Sequence, residues 1–215
     1  MWEAARLSLL VLLVAVPVIF VLGLLLALLF ARVSFWGKTV LETVMMLPLV
    51  LPPSVVGYGL LRFLGRGGPV LEWLGINVLF TLQAAAIAAV VVGMPLMLQA
   101  SRIGLESVDR DIEQAASIDG AGRARVVLTM TLPLARRGVF VGLALGSVRA
   151  LGEFGATLAV AGSIPGRTQT LPLAVYDAMQ RADYDTANAI TMLMIAIGFV
   201  TILGTRRLAT GGDQP

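Results

Sequence analysis

The pattern of hydrophobic and polar positions divides the chain into five long apolar stretches joined by more polar connections. The apolar stretches cover residues 7–31, 40–64, 80–99, 139–161 and 188–204. An α-helix needs roughly 20 mainly apolar residues to cross the hydrocarbon core of a bilayer. The pattern therefore predicts an all-α integral membrane protein with about five transmembrane helices. The first stretch exceeds the roughly 7–15 apolar residues of a signal peptide, so we expect it to be retained as a span.

Basic residues are distributed unequally between the two sides that these helices define. One side collects ten of the sixteen Arg and Lys residues, the other collects five, and Arg149 falls inside the fourth stretch. Because cytoplasmic loops of membrane proteins are enriched in Lys and Arg, the side with ten is predicted to be cytoplasmic. This places the amino terminus outside the cell and the carboxyl terminus in the cytoplasm.

Composition supports a membrane protein and removes several classes of chemistry. Hydrophobic residues form 58% of the chain, charged residues 13%, and the mean hydropathy is +0.90, whereas soluble domains are about 45–50% apolar and about 25% charged. There is no Cys and no His, which removes disulfides, thiol nucleophiles, imidazole bases and the usual transition-metal ligands. We expect no metal site, and we expect a membrane protein that is not itself an enzyme. The net charge of +3 fits cytoplasmic loops in contact with membrane lipid, and no nucleic-acid partner is predicted.

A site for ATP is also not expected. Gly37-Lys38-Thr39 has the order of residues that ends a phosphate-binding loop, but Arg32 stands where that motif requires glycine. The segment also adjoins an apolar span instead of following a β-strand.

The second apolar stretch contains Pro48, Pro52 and Pro53, followed by Ser54 and Gly57. Each proline removes a helical hydrogen bond and clashes with the preceding turn, so this span is predicted to be broken or strongly kinked. Backbone groups freed within a membrane are tolerated only against protein or a water-filled cavity. The span is therefore expected to face the interior of a helix bundle, and a kink without function is the alternative.

Arg149 and Glu153 are charged residues inside the predicted fourth span. Their i, i+4 spacing lets them meet on one face of a helix, and a helix starting near residue 139 would place Arg149 close to the middle of the membrane. Such charges are costly in a membrane and are commonly functional. The pair either lies beside a transport path or locks helices together structurally.

The longest polar connection, residues 100–138, contains a short segment that starts with acidic residues and ends with glycines. Ala115 and Ala116 give this segment a small surface, and Gly120 and Gly122 allow a tight turn. Acidic residues suit the amino end of a helix. The segment is predicted to be a short helix, which either docks into a groove of a partner or lies at the lipid interface.

The same connection resembles the EAA loop of ABC importer permeases. That pattern is Glu-Ala-Ala, three residues, Gly, nine residues and Ile-x-Leu-Pro, and it fits here from Gln114 to Pro133. Gln114 stands where the family often has Glu, Glu113 lies one residue earlier, and Met130 replaces Ile. The resemblance implies a cytoplasmic coupling helix that contacts an ATPase through Glu113, Gln114, Ala115, Ala116, Gly120, Gly122, Leu132 and Pro133.

Two further runs are similar to the molybdate permeases, and sulfate permeases share part of the second. They are the run from Leu47 to Tyr58 and the run from Arg149 to Leu158, which is followed by Gly162 to Pro172. The candidate residues for a translocation path or gate are Pro52, Pro53, Ser54, Gly57, Arg149, Glu153, Gly155 and Thr157. The segment outside the membrane either docks a binding protein, through Arg167, Thr168, Gln169 and Thr170, or forms a solvated turn and an amphipathic helix.

The resemblance implies one transmembrane permease domain over residues 1–215, with a core of about 7–204 and a coupling loop at 100–138. It implies a type I ABC importer permease in the plasma membrane of a prokaryote, a homodimer bound to two cytoplasmic ATPase subunits that carry ATP and Mg. An extracytoplasmic oxyanion-binding protein would deliver molybdate or tungstate. The alternatives are sulfate or another oxyanion, a stand-alone secondary transporter, and a membrane scaffold that transports nothing.

Overall fold

The computed structural model describes residues 1–65, 67–69 and 75–210, and these residues contain helices and loops but no β-strand. The helices, in chain order, are α1 (Trp2–Arg32), α2 (Lys38–Val50), α3 (Pro53–Leu64), α4 (Leu82–Glu106), α5 (Arg110–Ile118), α6 (Arg123–Val126), α7 (Leu132–Leu151), α8 (Gly155–Ala161), α9 (Leu171–Gln180) and α10 (Tyr184–Thr210). A π-helical segment, Val127–Thr131, connects α6 to α7 without interruption.

Among the described residues, four stretches of helix are long and apolar enough to cross a membrane, and a fifth is bent. The four are Trp2–Arg32, Leu82–Glu106, Arg123–Leu151 and Tyr184–Thr205, and the bent pair is α2 with α3. The angle within that pair is 118°, so the break predicted from the prolines is confirmed. About five spans are therefore present when the bent pair counts as one.

Helix α4 lies at the centre of the bundle, with α1 and α7 packed against it. In its most apolar window 61% of the residues are buried, against 22% for α1. Glycines allow α4 and α7 to approach closely, because a Cβ added at Gly138 would lie 2.7 Å from the Cα of Gly104. Gly146 meets Gly93 in the same way, with the added Cβ 2.9 Å from the Gly93 carbonyl oxygen.

The predicted fourth span, residues 139–161, is wrong as a continuous helix. The spanning helix starts at Arg123, ends at Leu151, and is followed by a break before the short helix α8. The break is stabilised locally, because the Ala156 N–H donates to the Glu153 carboxylate at 2.8 Å and starts a new helix. Arg149 therefore lies in the last turn of α7, and its depth in the membrane stays a prediction.

The predicted coupling loop, residues 100–138, contains the ends of two long helical runs as well as α5. Helix α4 continues to Glu106, and the helical run that leads into α7 begins at Arg123. Only α5 and its flanking turns lie between these two spanning segments. The fifth span likewise begins at Tyr184, four residues before its predicted start.

Candidate coupling helix and translocation path

Helix α5 is a short exposed helix with well-defined ends. At its start, the Asp109 carboxylate accepts the Asp111 N–H at 2.9 Å, which caps the helix. At its end, the Ala121 N–H donates to the Ala116 carbonyl, and Gly120 adopts φ +89°. This is the Schellman arrangement, which favours glycine at the left-handed position. Glycine at position 120 is thus favoured by the conformation of the chain.

None of the nine residues of α5 is buried. Gln114 and Ala115 are exposed, and Ala116 is half-buried. Beside the helix lies a cleft of about 560 Å³ lined by Arg32, Arg110, Glu113, Gln114, Ser117 and Ile118. Helix α5 therefore presents an accessible surface with an adjacent cleft, which is the form that a docking element needs.

Glu113 is the residue that holds α5 to the rest of the chain. Its Oε1 accepts a hydrogen bond from Arg32 Nη2 at 2.7 Å and another from Thr131 Oγ1 at 2.6 Å. The same Arg32 nitrogen donates to the Leu105 carbonyl at 2.9 Å. No sequence pattern indicated Arg32 or Thr131, because Arg32 stands 81 positions and Thr131 stands 18 positions from Glu113 along the chain.

Leu132 and Pro133 follow the π-helical segment directly. Pro133 has no N–H to donate to the carbonyl four residues before it, and the Leu132 N–H bonds the carbonyl of Val127, five residues before. The wider ladder is that of a π-helix, which is frequent at functional sites. Leu132 is half-buried and Pro133 is exposed, so both lie at the surface close to Thr131.

The two broken helices α3 and α8 lie side by side and begin at the same place. A Cβ added at Gly155 would lie 2.8 Å from the Cβ of Pro53. One turn further along, a Cβ at Gly57 would lie 2.9 Å from the Cα of Ala156. The helices therefore run parallel, with glycine at each close contact. The structure thus brings together Pro53, Gly57 and Gly155, and the exposed residues Pro52 and Ser54 adjoin them.

Arg149 and Glu153 meet across the break between α7 and α8. Arg149 Nη1 donates to Glu153 Oε2 at 2.8 Å, while Glu153 Oε1 accepts the Ala156 N–H. Glu153 is 3% exposed, and the Arg149 side chain is 29% exposed. Both carboxylate oxygens are thus engaged within the chain, so the pair stabilises the break. Its structural role is visible in these contacts, and a role in the path stays a prediction.

Buried polar side chains surround a small cavity next to Glu153. Thr157 is 3% exposed and Ser8 is 4% exposed, and together with Thr170, Glu153 and five apolar residues they line a space of about 10 Å³. Ser8 Oγ accepts the Leu171 N–H at 2.8 Å. Thr157 therefore lies on the buried face of α8, among groups from α1, α8 and the start of α9.

The segment that leads into α9 is partly buried. Thr168 is fully buried, where its hydroxyl accepts the Ile164 N–H and donates to the Gly162 carbonyl, and Thr170 is also buried. The Gln169 amide donates to Asp177, a residue that the sequence analysis did not select. Arg167 is exposed. A docking role for this segment therefore depends on Arg167 and Gln169, while the two threonines support the loop from beneath.

The fold and these sites define a polytopic membrane subunit with an exposed helix between two of its spans. A family model described as "binding-protein-dependent transport system inner membrane component" matches residues 9–210. The chain belongs to this family and is a multi-pass membrane protein.

Similar proteins and structures place the chain more closely within the family. The chain is 44% identical, over 213 residues, to the molybdenum transport system permease protein ModB of Escherichia coli K12, covering 97% of this chain and 93% of the relative. It is 37% identical to the sulfate transport system permease protein CysW of Synechococcus elongatus, covering 94% and 71%.

A crystal structure of a bacterial alginate ABC transporter in complex with an alginate pentasaccharide-bound periplasmic protein has a similar fold. Its TM-score is 0.76 with 20% identity, and the match covers 96% of this chain and 78% of that one. The fold of the chain is thus that of a type I ABC importer permease, as predicted.

Proposed function

We propose that this chain is the membrane-spanning permease subunit of an ATP-driven importer for molybdate or tungstate. The observation that carries the proposal is the 44% identity to a molybdenum permease over 97% of the chain, because so long a match includes the exposed helix α5 as well as the paired helices α3 and α8. The proposed unit is a single permease domain over residues 1–215, and its transport cycle is alternating access.

The proposed cytoplasmic partners are two ABC ATPase subunits, which carry the ATP and Mg. They would contact α5 through Gln114 and Ala115, which are exposed. Glu113, Ala116, Gly120, Gly122, Leu132 and Pro133 would shape and support that surface. Support comes from an exposed helix with a neighbouring cleft of about 560 Å³. ATP-driven closure of the ATPases would move α5 and rock the spanning helices, which opens the path outward.

The proposed assembly contains two copies of this chain. Helix α2 buries none of its residues within one copy, and residues 51–54, at the break before α3, are exposed. Non-helical backbone at membrane depth requires protein or a water-filled cavity around it. A path between two copies, bordered by Pro52, Pro53, Ser54, Gly57 and Gly155, would meet this requirement.

On the opposite side we propose that an oxyanion-binding protein docks against Arg167 and Gln169. Thr168 and Thr170 would keep this loop in shape. The amino terminus would lie outside the cell and the carboxyl terminus in the cytoplasm. Arg149 and Glu153 pair at the break before α8, and Glu153 lines a small cavity with Thr157 and Thr170, so these residues would connect docking to the opening of the path.

The favoured alternative within the same class is a sulfate importer, because the chain is also 37% identical to a sulfate permease. A stand-alone secondary transporter would need free acidic groups along the spans. Glu42 in α2 and Glu153 at the break after α7 are both ion-paired: Glu42 with Arg102 at 3.0 Å, and Glu153 with Arg149 at 2.8 Å. A scaffold without transport has no supporting observation.

The test is uptake of labelled molybdate into proteoliposomes that contain this chain, its ATPase partner and the binding protein. We expect uptake that requires ATP and is inhibited by tungstate more strongly than by sulfate. Stronger inhibition by sulfate than by tungstate would indicate a sulfate importer instead. Uptake without any ATPase subunit would favour a secondary transporter, and no uptake of any oxyanion would favour a scaffold.

A further inference from the structure

Glu113 and its partners lie on a small buried cluster where three spanning helices end. The cluster contains Ala27 and Ala31 of α1, Leu105 and Val108 at the end of α4, and Ala135 of α7. Leu105 is fully buried, and its carbonyl accepts a hydrogen bond from Arg32. Any force on the Glu113–Arg32 contact is therefore applied to a packed junction of helices and not to a loose side chain.

The carboxylate of Glu113 is directed into the chain. Only 18% of its side chain is exposed, and one oxygen already accepts from both Arg32 and Thr131. Gln114, the next residue, points about 100° further round the helix and is exposed. An incoming protein would meet Gln114 and Ala115, while Glu113 is occupied behind them.

Thr131 is the other half of this contact and is fully buried. It ends the π-helical segment, at the point where the helical run continues as α7. Its hydroxyl therefore joins α5 to the start of a spanning helix, while Arg32 joins α5 to the end of another. A hydrogen bond to a charged group is stronger than one between neutral groups.

We propose that Glu113 is an internal tie, through which displacement of α5 is transmitted to α1 by Arg32 and to α7 by Thr131. Glu113 is thus a positioning residue and not a contact to the ATPase. This inference rests on the proposed function, since it assigns a path for the movement that ATP hydrolysis causes at α5. Loss of the tie leaves α5 able to bind its partner but uncoupled from the spans.

The experiment compares Thr131→Val with Thr129→Val in the complete transporter, reconstituted with its ATPase subunits and the binding protein. Valine has the shape of threonine without the hydroxyl. Thr129 is a matched control, because it lies in the same π-helical segment, is exposed, and donates only to the carbonyl of Arg125 in its own helix. The readouts are assembly of the complex, ATP hydrolysis without substrate, and oxyanion taken up per ATP hydrolysed.

Thr131→Val is expected to assemble and to hydrolyse ATP normally without substrate, and to import about tenfold less oxyanion per ATP, the size expected when a hydrogen bond to a charged group is lost. Thr129→Val and the conservative Thr131→Ser are expected to couple like the wild type. Glu113→Asp keeps the charge but withdraws it from both donors, so it should lose coupling as Thr131→Val does.

Wild-type coupling in both Thr131→Val and Glu113→Asp would overturn the proposal. So would loss of the ATPase from the complex in Thr131→Val, because the contact would then form the docking surface itself. If Thr131→Val does not insert, Glu113→Asp decides alone by the same readouts. The wild-type arm tests the proposed function separately: the absence of any oxyanion uptake there contradicts the importer, whereas a difference between the variants concerns only the tie.

Discussion

Single residues in this chain have roles that depend on conformation as much as on side-chain chemistry. Gly120 is exposed, and a Cβ added to it would meet no atom within 4 Å. Its φ of +89° is nevertheless one that L-residues rarely adopt. A substitution there would strain the backbone at the end of α5, and it would therefore change the direction in which the following chain leaves the helix.

Replacement of Gly120 by Trp is expected to abolish ATP-coupled uptake and to leave membrane insertion intact. A left-handed non-glycine residue costs about 1–2 kcal/mol, which is enough to change the end of α5 but not the packing of the spans. Uptake and the amount of protein in the membrane are the two measurements. Gly198→Ala is the control, since Gly198 also has open space around it but an ordinary φ. Normal transport by Gly120→Trp would show that α5 does not need this turn.

Glu153 allows a second test at this scale, because its two oxygens have different partners. Glu153→Gln retains an acceptor for the Ala156 N–H but removes the charge that faces Arg149, whereas Glu153→Ala removes both. The expected order of thermal stability is wild type, then Gln, then Ala, with losses of about 1–3 kcal/mol for an unsatisfied buried group. Thermal unfolding of the purified protein measures this order. Glu106→Gln is the control, because that exposed ion pair should contribute about 0–1 kcal/mol. Equal stability of all variants would mean that the pair does not hold the break.

At the scale of elements, the sequence predicted the helix break that prolines mark, between α2 and α3, and missed the break between α7 and α8. Pro52 and Pro53 mark the bend between α2 and α3, since they lack the N–H that a continuous helix needs. The break at Glu153 has no proline, and residues 139–161 form one apolar run that conceals it. There α7 ends at Leu151, and the Glu153 carboxylate accepts the Ala156 N–H in the first turn of the next helix, a contact that hydropathy does not indicate.

The start of the same span was also missed, because charged residues there interrupt the apolar pattern. Residues 123–137 carry several arginines and appear polar in a hydropathy window, although they continue the helix into α7 without a break. The ends of α5 were predictable, because acidic residues at its start and glycine at its end each act locally. The contact between Glu113 and Arg32 was not, because packing of separate helices creates it.

The parallel helices α3 and α8 can be tested by a pair of glycine substitutions in one helix. A Cβ at Gly57 would lie 2.8 Å from the Cβ of Ala159, so Gly57→Ala must push the two helices apart. Overpacking of this kind costs about 1–3 kcal/mol, and we expect lower uptake with it. Gly59→Ala is the matched control, because the same methyl group two residues later meets no atom within 4 Å. Equal uptake by the two variants would show that the close contact of α3 and α8 is not needed.

For the whole molecule, the sidedness of α5 decides whether the proposed mechanism holds. In the proposed topology α5 and the segment before α9 lie on opposite faces of the membrane, because the candidate span Arg123–Leu151 and the short helix α8 connect them. The natural chain has no cysteine, so labelling of a single introduced cysteine reports the accessibility of that position without background from other thiols. This makes the orientation measurable in intact cells with a maleimide reagent that does not cross membranes.

We expect Arg167→Cys to be labelled in intact cells, because position 167 is exposed in the segment assigned to the outside. Gln114→Cys, also exposed, is expected to react only after the membrane is permeabilised. Each variant is the control for the other, since both thiols must react fully once the membrane is open. Labelling of position 114 alone from the outside would show that the orientation of the chain in the membrane is the reverse of the proposed one. Helix α5 could then not bind a cytoplasmic ATPase. The tie through Glu113 would have no ATPase-driven movement to transmit, even though every contact within the chain stayed the same.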